Sequence, residues 1–241
     1  MSFKLSTLTH NLKKQTLQYN ASLPISIDVL ERIGYQRYKL KVGHKQMSTR
    51  SMKYLEKGEK YWGNFSETKG GILTINNLKK KPAIMQDSEN FLNIDSLQFL
   101  DELLNSNEFA LEFKKFLLHA LKNCNDNKDF FTLTSMLLAL HAGIVHLPLL
   151  IDDKIFLLQW RENQSLNDGL LDFYFAYENL GAIEGRVDFK KEKIFLRTLF
   201  TRTADFLNRF KSDAPFSFEA IPVNEIYPLW EGTDELLNIK G

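Results

Sequence analysis

The hydrophobic residues of this 241-residue chain change their spacing twice, and this change constrains the fold more than any other feature. Between residues 23 and 83, apolar residues alternate with polar ones, as at Ile25, Ile27 and Val29. Such alternation is typical of strands with one buried face. From about residue 87 to residue 146 the spacing is helical, and from residue 147 the alternation returns. The sequence therefore predicts an α+β protein in which a helical segment lies between two β-rich units.

The first β-rich unit is predicted to be a small antiparallel β-barrel over residues 21–85. Leu40 and Val42 continue the alternation, and glycine-containing turns at Gly58 and at Gly70-Gly71 separate the apolar runs. Short strands joined by such turns are typical of small barrels. Residues 1–20 are rich in Ser, Thr, Leu, Asn and Gln and lack the apolar core of a secretory signal peptide. We expect a flexible tail there, with a type III export signal as the alternative.

Residues 86–145 are predicted to be a helical segment, and the change of period between residues 81 and 87 predicts a boundary between two separable units. Three apolar stripes run through the segment: Phe91, Ile94, Leu97, Leu103 and Leu104; then Phe109, Phe113, Phe116, Leu117 and Leu121; then Phe130, Leu133, Leu137, Leu140 and Ile144. Their spacing of three and four residues favours three helices. Asp87 or Ser88 is placed to cap the first helix, and Gly143 is placed to end the third.

Residues 146–241 are predicted to form a second β-rich domain with the element order β-β-β-β-α-β. Phe173, Phe175 and Tyr177 alternate strictly with their neighbours, and Ile194 and Leu196 share one face of a later strand. A short helical stripe follows, and then a last strand. We expect a mainly antiparallel sheet with one helix covering one of its faces.

Net charge, hydropathy and motifs argue against several classes of function, although basic residues can still cluster locally. A net charge of +1 gives no strong overall attraction to nucleic acid or to an anionic membrane. No stretch approaches the 18 consecutive apolar residues of a membrane-spanning helix. Phosphate-loop, dinucleotide-binding and nucleophile-elbow motifs are absent.

The residue types that carry catalysis are present but are not arranged as in known sites. His141 and His146 are five residues apart, which is not the spacing of a metal-binding helix. Cys124 is the single cysteine, so neither an intramolecular disulfide nor a cysteine-based zinc site can form. Asp152 and Asp153 are interpreted as turn charges. We expect a non-enzymatic protein that needs no metal or cofactor.

A run of cations in the predicted barrel leaves a second function open. Cations and aromatic residues are interleaved here: Tyr35, Tyr38, Lys39, Lys41, His44, Lys45, Arg50 and Tyr54, with Lys79, Lys80 and Lys81 further on. On an OB-like barrel, such residues would form a platform for single-stranded nucleic acid. We favour the interpretation that the cations line the solvent face of strands, because Glu56, Glu59 and Glu67 share the region. Nucleic-acid binding is thus the less favoured, alternative function.

The C-terminal domain resembles a known family. HLPL at residues 146–149 and KIFL at residues 154–157 resemble the entry into the C-terminal domain of flagellar hook-length control proteins. FYFAYENLGAIEGRV, at residues 173–187, is similar to that family's central strand, Leu-Gly turn and next strand, although YEN stands where the family usually carries a proline. Residues 194–200 and 203–210 resemble the strand and helix that follow. The resemblance covers residues 146–212.

This resemblance implies a role in flagellar assembly. In the family, the C-terminal domain contacts the cytoplasmic domain of the flagellar export gate, and this contact switches export from rod and hook subunits to filament subunits. We therefore expect an assembly or regulatory protein that acts through protein–protein contacts in the cytoplasm or is exported through the flagellar apparatus. About 145 residues precede the resembling domain and their pattern indicates a folded structure. A shorter relative without the long ruler segment of the family is expected.

The residues predicted to bind the partner surround the Leu-Gly junction. They are Glu178, Asn179, Leu180, Gly181, Glu184 and Arg186. Leu180 is expected to anchor the core, and Gly181 to adopt a backbone conformation that other residues resist. The charged members of the group are expected to be exposed, so that reversing them costs little stability.

Overall fold

The computed structural model describes residues 23–43, 45–67, 73–88, 91–93, 108–151, 154–162 and 169–232. The predicted tail at residues 1–20 lies outside this set, as do His44, Asp152, Asp153 and most of the first predicted helix, residues 94–107. Within the described ranges, no helix is long and apolar enough to cross a membrane.

Five antiparallel strands form the first sheet. They are β1 (Ile25–Gly34), β2 (Arg37–Val42), β3 (Lys45–Arg50), β4 (Lys60–Glu67) and β5 (Leu73–Lys80), in the order β3-β2-β1-β4-β5. The predicted alternation is confirmed in β1, where Ile25, Ile27 and Val29 are buried. Side chains two residues apart in a strand line the same face. These three therefore pack with Tyr38 and Leu40 of β2 in one apolar core.

The first sheet is not seen to close into the predicted barrel. β3 and β5 are its two edges, and no ladder joins them among the residues that the structure describes. The other face of β4 carries Trp62, which is fully buried in the core of the second sheet. β4 therefore contributes to two cores, because Tyr61 is buried in the core of the first sheet and Trp62 in that of the second.

Seven strands form the second sheet. They are β6 (Leu92–Asn93), β7 (Val145–Ile151), β8 (Lys154–Glu162), β9 (Leu170–Tyr177), β10 (Gly181–Asp188), β11 (Lys193–Thr198) and β12 (Ser217–Pro222), in the order β12-β11-β10-β9-β8-β7-β6. Neighbouring strands are antiparallel except in the two outermost pairs, β6–β7 and β11–β12. The predicted α+β class with a mainly antiparallel sheet is confirmed.

Three α-helices are described. They are α1 (Phe109–Asn123), α2 (Asn127–His141) and α3 (Thr201–Asn208), with two short 3₁₀ turns at Ala83–Met85 and Lys211–Asp213. α1 and α2 bury Phe113 and Leu133 of their predicted stripes against β7. Phe130, which was placed on the third stripe, is 47% exposed instead. Gly143 follows the end of α2 with a φ of +77°, which confirms the predicted helix end. α3 lies between β11 and β12, as predicted, and contacts both strands.

The prediction of a helix that begins at Asp87 or Ser88 is wrong at its start. Residues 92–93 form strand β6, which pairs with β7. Phe91 is buried in the core that contains Trp62, whereas Leu92 is buried against α1 and α2. Extended backbone sends consecutive side chains to opposite faces of a sheet, which a helical turn does not do.

The junction between the two β-rich units is packed. Ile84 and Met85 of the first 3₁₀ turn are buried in the same core as Trp62. Nearby, Lys79 Nζ donates a hydrogen bond of 2.7 Å to the backbone oxygen of Asn224. The change of period at residues 81–87 therefore falls inside a shared core and not in an exposed linker.

The chain after β12 crosses the second sheet as a strap, residues 223–232. Fully buried Gln159 of β8 holds it, because Gln159 Oε1 accepts from the backbone nitrogens of Leu229 at 2.8 Å and Trp230 at 3.1 Å. Gln159 Nε2 also donates to the backbone oxygen of Trp230 at 2.7 Å. Trp230 Nε1 donates to Ser135 Oγ of α2 at 3.1 Å. The strap thus links the sheet to the helical layer.

Candidate functional site

The predicted partner-binding residues lie at the turn between β9 and β10 and along β10. Glu178, Asn179 and Leu180 form a three-residue loop, closed by a 3.3 Å hydrogen bond from the Leu180 backbone nitrogen to the Tyr177 oxygen. Gly181 follows with a φ of +74°, which confirms the predicted need for glycine. A short loop that leads into a glycine with a positive φ is a common connection between antiparallel strands.

This turn is fixed to the first turn of α3. The Thr203 hydroxyl donates to the Leu180 backbone oxygen at 2.8 Å. A Cβ atom on Gly181 would meet the ring of Phe200, which is fully buried just before α3. The side chain of Leu180 is half-buried, so the expectation that it anchors the core is wrong. Its carbonyl group makes the fixed contact instead.

The turn also lies close to the first sheet. Lys81 is 3% exposed, and its ammonium group donates to Ser26 Oγ at 2.7 Å and lies 5.5 Å from the ring centre of Trp62. Burial lowers the pKa of Lys81 to about 8, and the nearby Glu178 carboxylate opposes this shift. The half-buried Glu178 therefore interacts electrostatically with the buried Lys81, which follows β5.

Glu184 and Arg186 make cross-strand ion pairs. Glu184 Oε1 lies 2.5 Å from Arg197 Nη1 of β11, and Arg186 Nε lies 2.6 Å from Asp172 Oδ1 of β9. Each pair occupies directly opposite positions of the ladder. A single reversal would place like charges opposite each other, and the expectation that such reversals cost little stability stays a prediction.

Two exposed apolar side chains lie beside these ion pairs, and the sequence reasoning missed both. Phe195 of β11 is 54% exposed and Ile221 of β12 is 48% exposed. Their strand registers align Arg186 with Phe195 and Glu219, and Glu184 with Arg197 and Ile221. We call this surface the β10–β12 face; its residues are Glu184, Arg186, Phe195, Arg197, Glu219 and Ile221. Glu178, Asn179, Leu180 and Gly181 belong to the turn at its border.

The alternation of β11 contains a signal for Phe195. Ile194 and Leu196 were assigned to the inward face, so Phe195 between them must point outward. An apolar residue that points outward from a strand is a candidate partner contact. The same assignment of inward and outward residues could have been made for the neighbouring strands.

A buried polar row lies on the same sheet, under the strap. His146, Gln159 and Tyr174 occupy adjacent positions on β7, β8 and β9. Gln159 Nε2 lies 3.0 Å from His146 Nδ1. Among the described groups, His146 Nε2 and the Tyr174 hydroxyl have no hydrogen-bond partner. Burial lowers the pKa of His146 to about 3 and raises the pKa of the Tyr174 phenol. All three side chains are fully buried, so this row is not open to a substrate.

The other two histidines that the structure describes, His119 and His141, do not converge. His119 Nε2 lies 3.0 Å from Asn123 Nδ2 on the surface of α1, and His141 is exposed at the end of α2. Throughout the described parts of the chain, no three His, Cys, Asp or Glu side chains come together as a metal site would require.

Cys124 borders a cavity of about 280 Å³ beneath α1 and α2. Phe113, Leu133 and Met136 are among the apolar side chains that line it. The thiol donates to the backbone oxygen of Asp126 at 3.1 Å. The thiol therefore has a hydrogen-bond partner in the loop between α1 and α2.

The structure buries some residues of the predicted nucleic-acid platform and exposes others. Tyr38 is buried, and its hydroxyl accepts a hydrogen bond of 3.4 Å from the Leu55 backbone nitrogen, so it cannot stack on a base. Lys81 is buried as well. By contrast, Tyr35 and Tyr54 are 82% and 69% exposed.

The chain was compared with protein-family models, with curated proteins and with solved structures. No family model matches it, and neither a curated protein nor a solved structure gives a significant match.

Proposed function

We propose that the chain is a non-enzymatic flagellar assembly protein that binds a protein partner through the β10–β12 face. The observation that carries the proposal is the pair of exposed apolar side chains, Phe195 and Ile221, on an open sheet face. Charged residues flank them on both sides. An apolar centre with a polar rim is the usual composition of a protein–protein contact.

The ion pairs of this face also support a docking role. The ion pairs Glu184–Arg197 and Arg186–Asp172 hold the long side chains in place before any partner arrives. Side chains that are already ordered lose less conformational entropy on binding. The turn at Gly181, fixed to α3, holds the border of the face in the same way.

The resemblance of residues 146–212 to hook-length control proteins supports the choice of partner. In that family the corresponding domain contacts the cytoplasmic domain of the flagellar export gate. We therefore propose a partner of this kind, met on the cytoplasmic side of the export apparatus, and a role in hook-length control or in switching the export substrate.

Electron microscopy of flagella tests the proposal in the organism that encodes the chain. Deleting the gene should alter hook length or abolish filaments. Replacing Phe195 and Ile221 together by threonine, which suits a strand, should give the same defect while the purified protein melts normally. The control is Phe131→Ala on α2, where the phenylalanine is similarly exposed, at 50%. Normal flagella in the deletion strain would refute the flagellar role, and normal flagella in the double variant alone would refute the β10–β12 face.

A further inference from the structure

A strongly basic segment forms one side of the first sheet, where it includes β2 and β3. Residues 32–54 contain no aspartate or glutamate, although the whole chain has a net charge of +1. The cations of this segment are Arg32, Arg37, Lys39, Lys41, Lys45, Arg50 and Lys53. Such a concentration of one charge attracts an anionic partner to this side of the molecule.

Two of these cations face each other without a counter-ion. Arg37 of β2 and Arg50 of β3 are directly opposite in the ladder, and both are exposed. Neither makes an ion pair within the described part of the chain. Like charges in opposite positions destabilise a sheet. A phosphate group between the two guanidinium groups would remove this repulsion and accept their paired hydrogen bonds.

Exposed aromatic rings lie at the end of the sheet that carries Arg37 and Arg50. Tyr35 is in the β1–β2 turn, and a hydrogen bond of 3.0 Å from the Ser51 backbone nitrogen to the Gln36 oxygen ties the loop after β3 to this turn. That loop carries Tyr54, and the guanidinium of Arg32 lies 5.8 Å from the centre of its ring. Arg32 occupies one face of the Tyr54 ring, so the stacking surface for a base is the other face of Tyr54 together with the exposed ring of Tyr35.

Two of the three carboxylates that argued against a binding platform lie against another cation. Glu56 Oε2 and Glu59 Oε1 lie 2.9 Å and 3.2 Å from Lys80 Nζ on β5. Within the basic segment, Lys39 has a carboxylate partner, Glu31, at 3.6 Å. Glu56 and Glu59 therefore leave Arg37 and Arg50 unneutralised.

We propose that this end of the first sheet binds single-stranded nucleic acid. We call it the basic tip; its residues are Arg32, Tyr35, Arg37, Arg50, Lys53 and Tyr54. The paired arginines bind the phosphate backbone, and the two tyrosines stack on bases. An acidic protein surface would satisfy the cations, but it would give the exposed tyrosine rings no stacking partner. The basic tip is a separate surface from the β10–β12 face and does not depend on a flagellar role.

Fluorescence anisotropy with the purified full chain tests the proposal, using a labelled oligothymidylate of about 12 nucleotides. Replacing Tyr35 and Tyr54 together by alanine should weaken binding about tenfold or more. Replacing Arg37 and Arg50 together by glutamine should weaken binding. It should also lower the slope of log affinity against log salt concentration by about one to two, because fewer ions are released. The controls are Tyr227→Ala, which removes an exposed tyrosine elsewhere, and Lys114→Gln on α1. We expect both to bind within about twofold of the original chain.

Three results would overturn the proposal. The first is no binding of the oligothymidylate at low salt. The second is unchanged affinity when both tyrosines are replaced, which would mean that the tip recognises negative charge alone. The third is equal competition by an oligoglutamate of the same net charge, which would point to an acidic protein partner. Circular dichroism of each variant shows that the fold is retained.

Discussion

Gly181 lies directly against the ring of Phe200, such that a Cβ on residue 181 would be 2.8 Å from Phe200 Cε2. Its φ of +74° also disfavours any side chain. We expect Gly181→Ala to lower the free energy of unfolding by about 2–4 kcal/mol in urea titrations. Gly143→Ala is the matched control, because φ there is +77° but no atom lies within 4 Å of the new Cβ. The free energy of unfolding of Gly143→Ala should fall by about 1–2 kcal/mol. Equal losses in the two variants would show that the contact with Phe200 is unimportant.

His146 should make stability depend on pH in the acidic range. Its folded pKa is about 3, whereas an unfolded histidine titrates near its ordinary value of about 6.5. Below pH 6.5 the unfolded chain therefore binds a proton that the folded chain excludes. The free energy of unfolding should fall as the pH drops from about 6.5 towards 3, by up to about 1.4 kcal/mol per pH unit.

The variant His146→Gln isolates this effect, because its amide can still bond Gln159 but does not titrate. Its unfolding free energy should depend less steeply on pH between about 6 and 4. His141→Gln serves as the control, since His141 is exposed. If His146→Gln keeps the original slope, the histidine is not excluded from protonation in the fold.

Lys81 should be a destabilising residue at neutral pH. Its ammonium is buried, and the pKa of about 8 lies below the ordinary value of about 10.4. Between these values the unfolded chain keeps a proton that the folded chain loses, so stability should rise with pH from about 8 to 10.4. We expect Lys81→Met to raise the free energy of unfolding at pH 7 by about 1–3 kcal/mol.

Two further variants check this interpretation of Lys81. Lys57→Met, at an exposed position in the loop before β4, should change stability by less than about 0.5 kcal/mol. Glu178→Gln should destabilise the original chain but not the Lys81→Met variant, because Glu178 acts through the lysine charge. A loss of stability in Lys81→Met would mean that its hydrogen bond to Ser26 outweighs the cost of burial.

The ion pair between Glu184 and Arg197 can be tested by exchanging its charges. Glu184→Arg alone places two cations opposite each other and should cost about 1 kcal/mol. Adding Arg197→Glu restores an opposite-charge pair and should recover the loss to within about 0.5 kcal/mol. Urea titration measures both steps. If the free-energy changes of the two substitutions simply add in the double variant, Glu184 and Arg197 make no stabilising interaction with each other.

Local spacing was sufficient to predict most of the strands. Alternation depends on the positions of residues along one strand, so Ile25, Ile27 and Val29 could be assigned to a buried face without knowing their neighbours. The glycine at position 181 could be assigned for the same reason, because its requirement is set by the adjacent turn.

The features that the sequence did not reveal depend on contacts between distant segments. Trp62 is buried by a sheet whose strands are far along the chain, so alternation alone could not show that β4 also packs against the second sheet. The partner of Glu184 depends on the register of β10 with β11. The strand at residues 92–93 is likewise specified by β7, more than 50 residues later.

The three tryptophans of the chain fall at three different contacts. Trp62 lies between the two sheets, Trp160 packs 5.4 Å from Phe109 of α1, and Trp230 lies in the strap. Emission from tryptophan shifts to longer wavelengths when water reaches the indole ring. A chain that keeps one tryptophan and carries phenylalanine at the other two positions would thus report optically on one contact at a time. Tryptophan emission from three such variants would therefore give the order in which the sheet contact, the helical layer and the strap separate during unfolding.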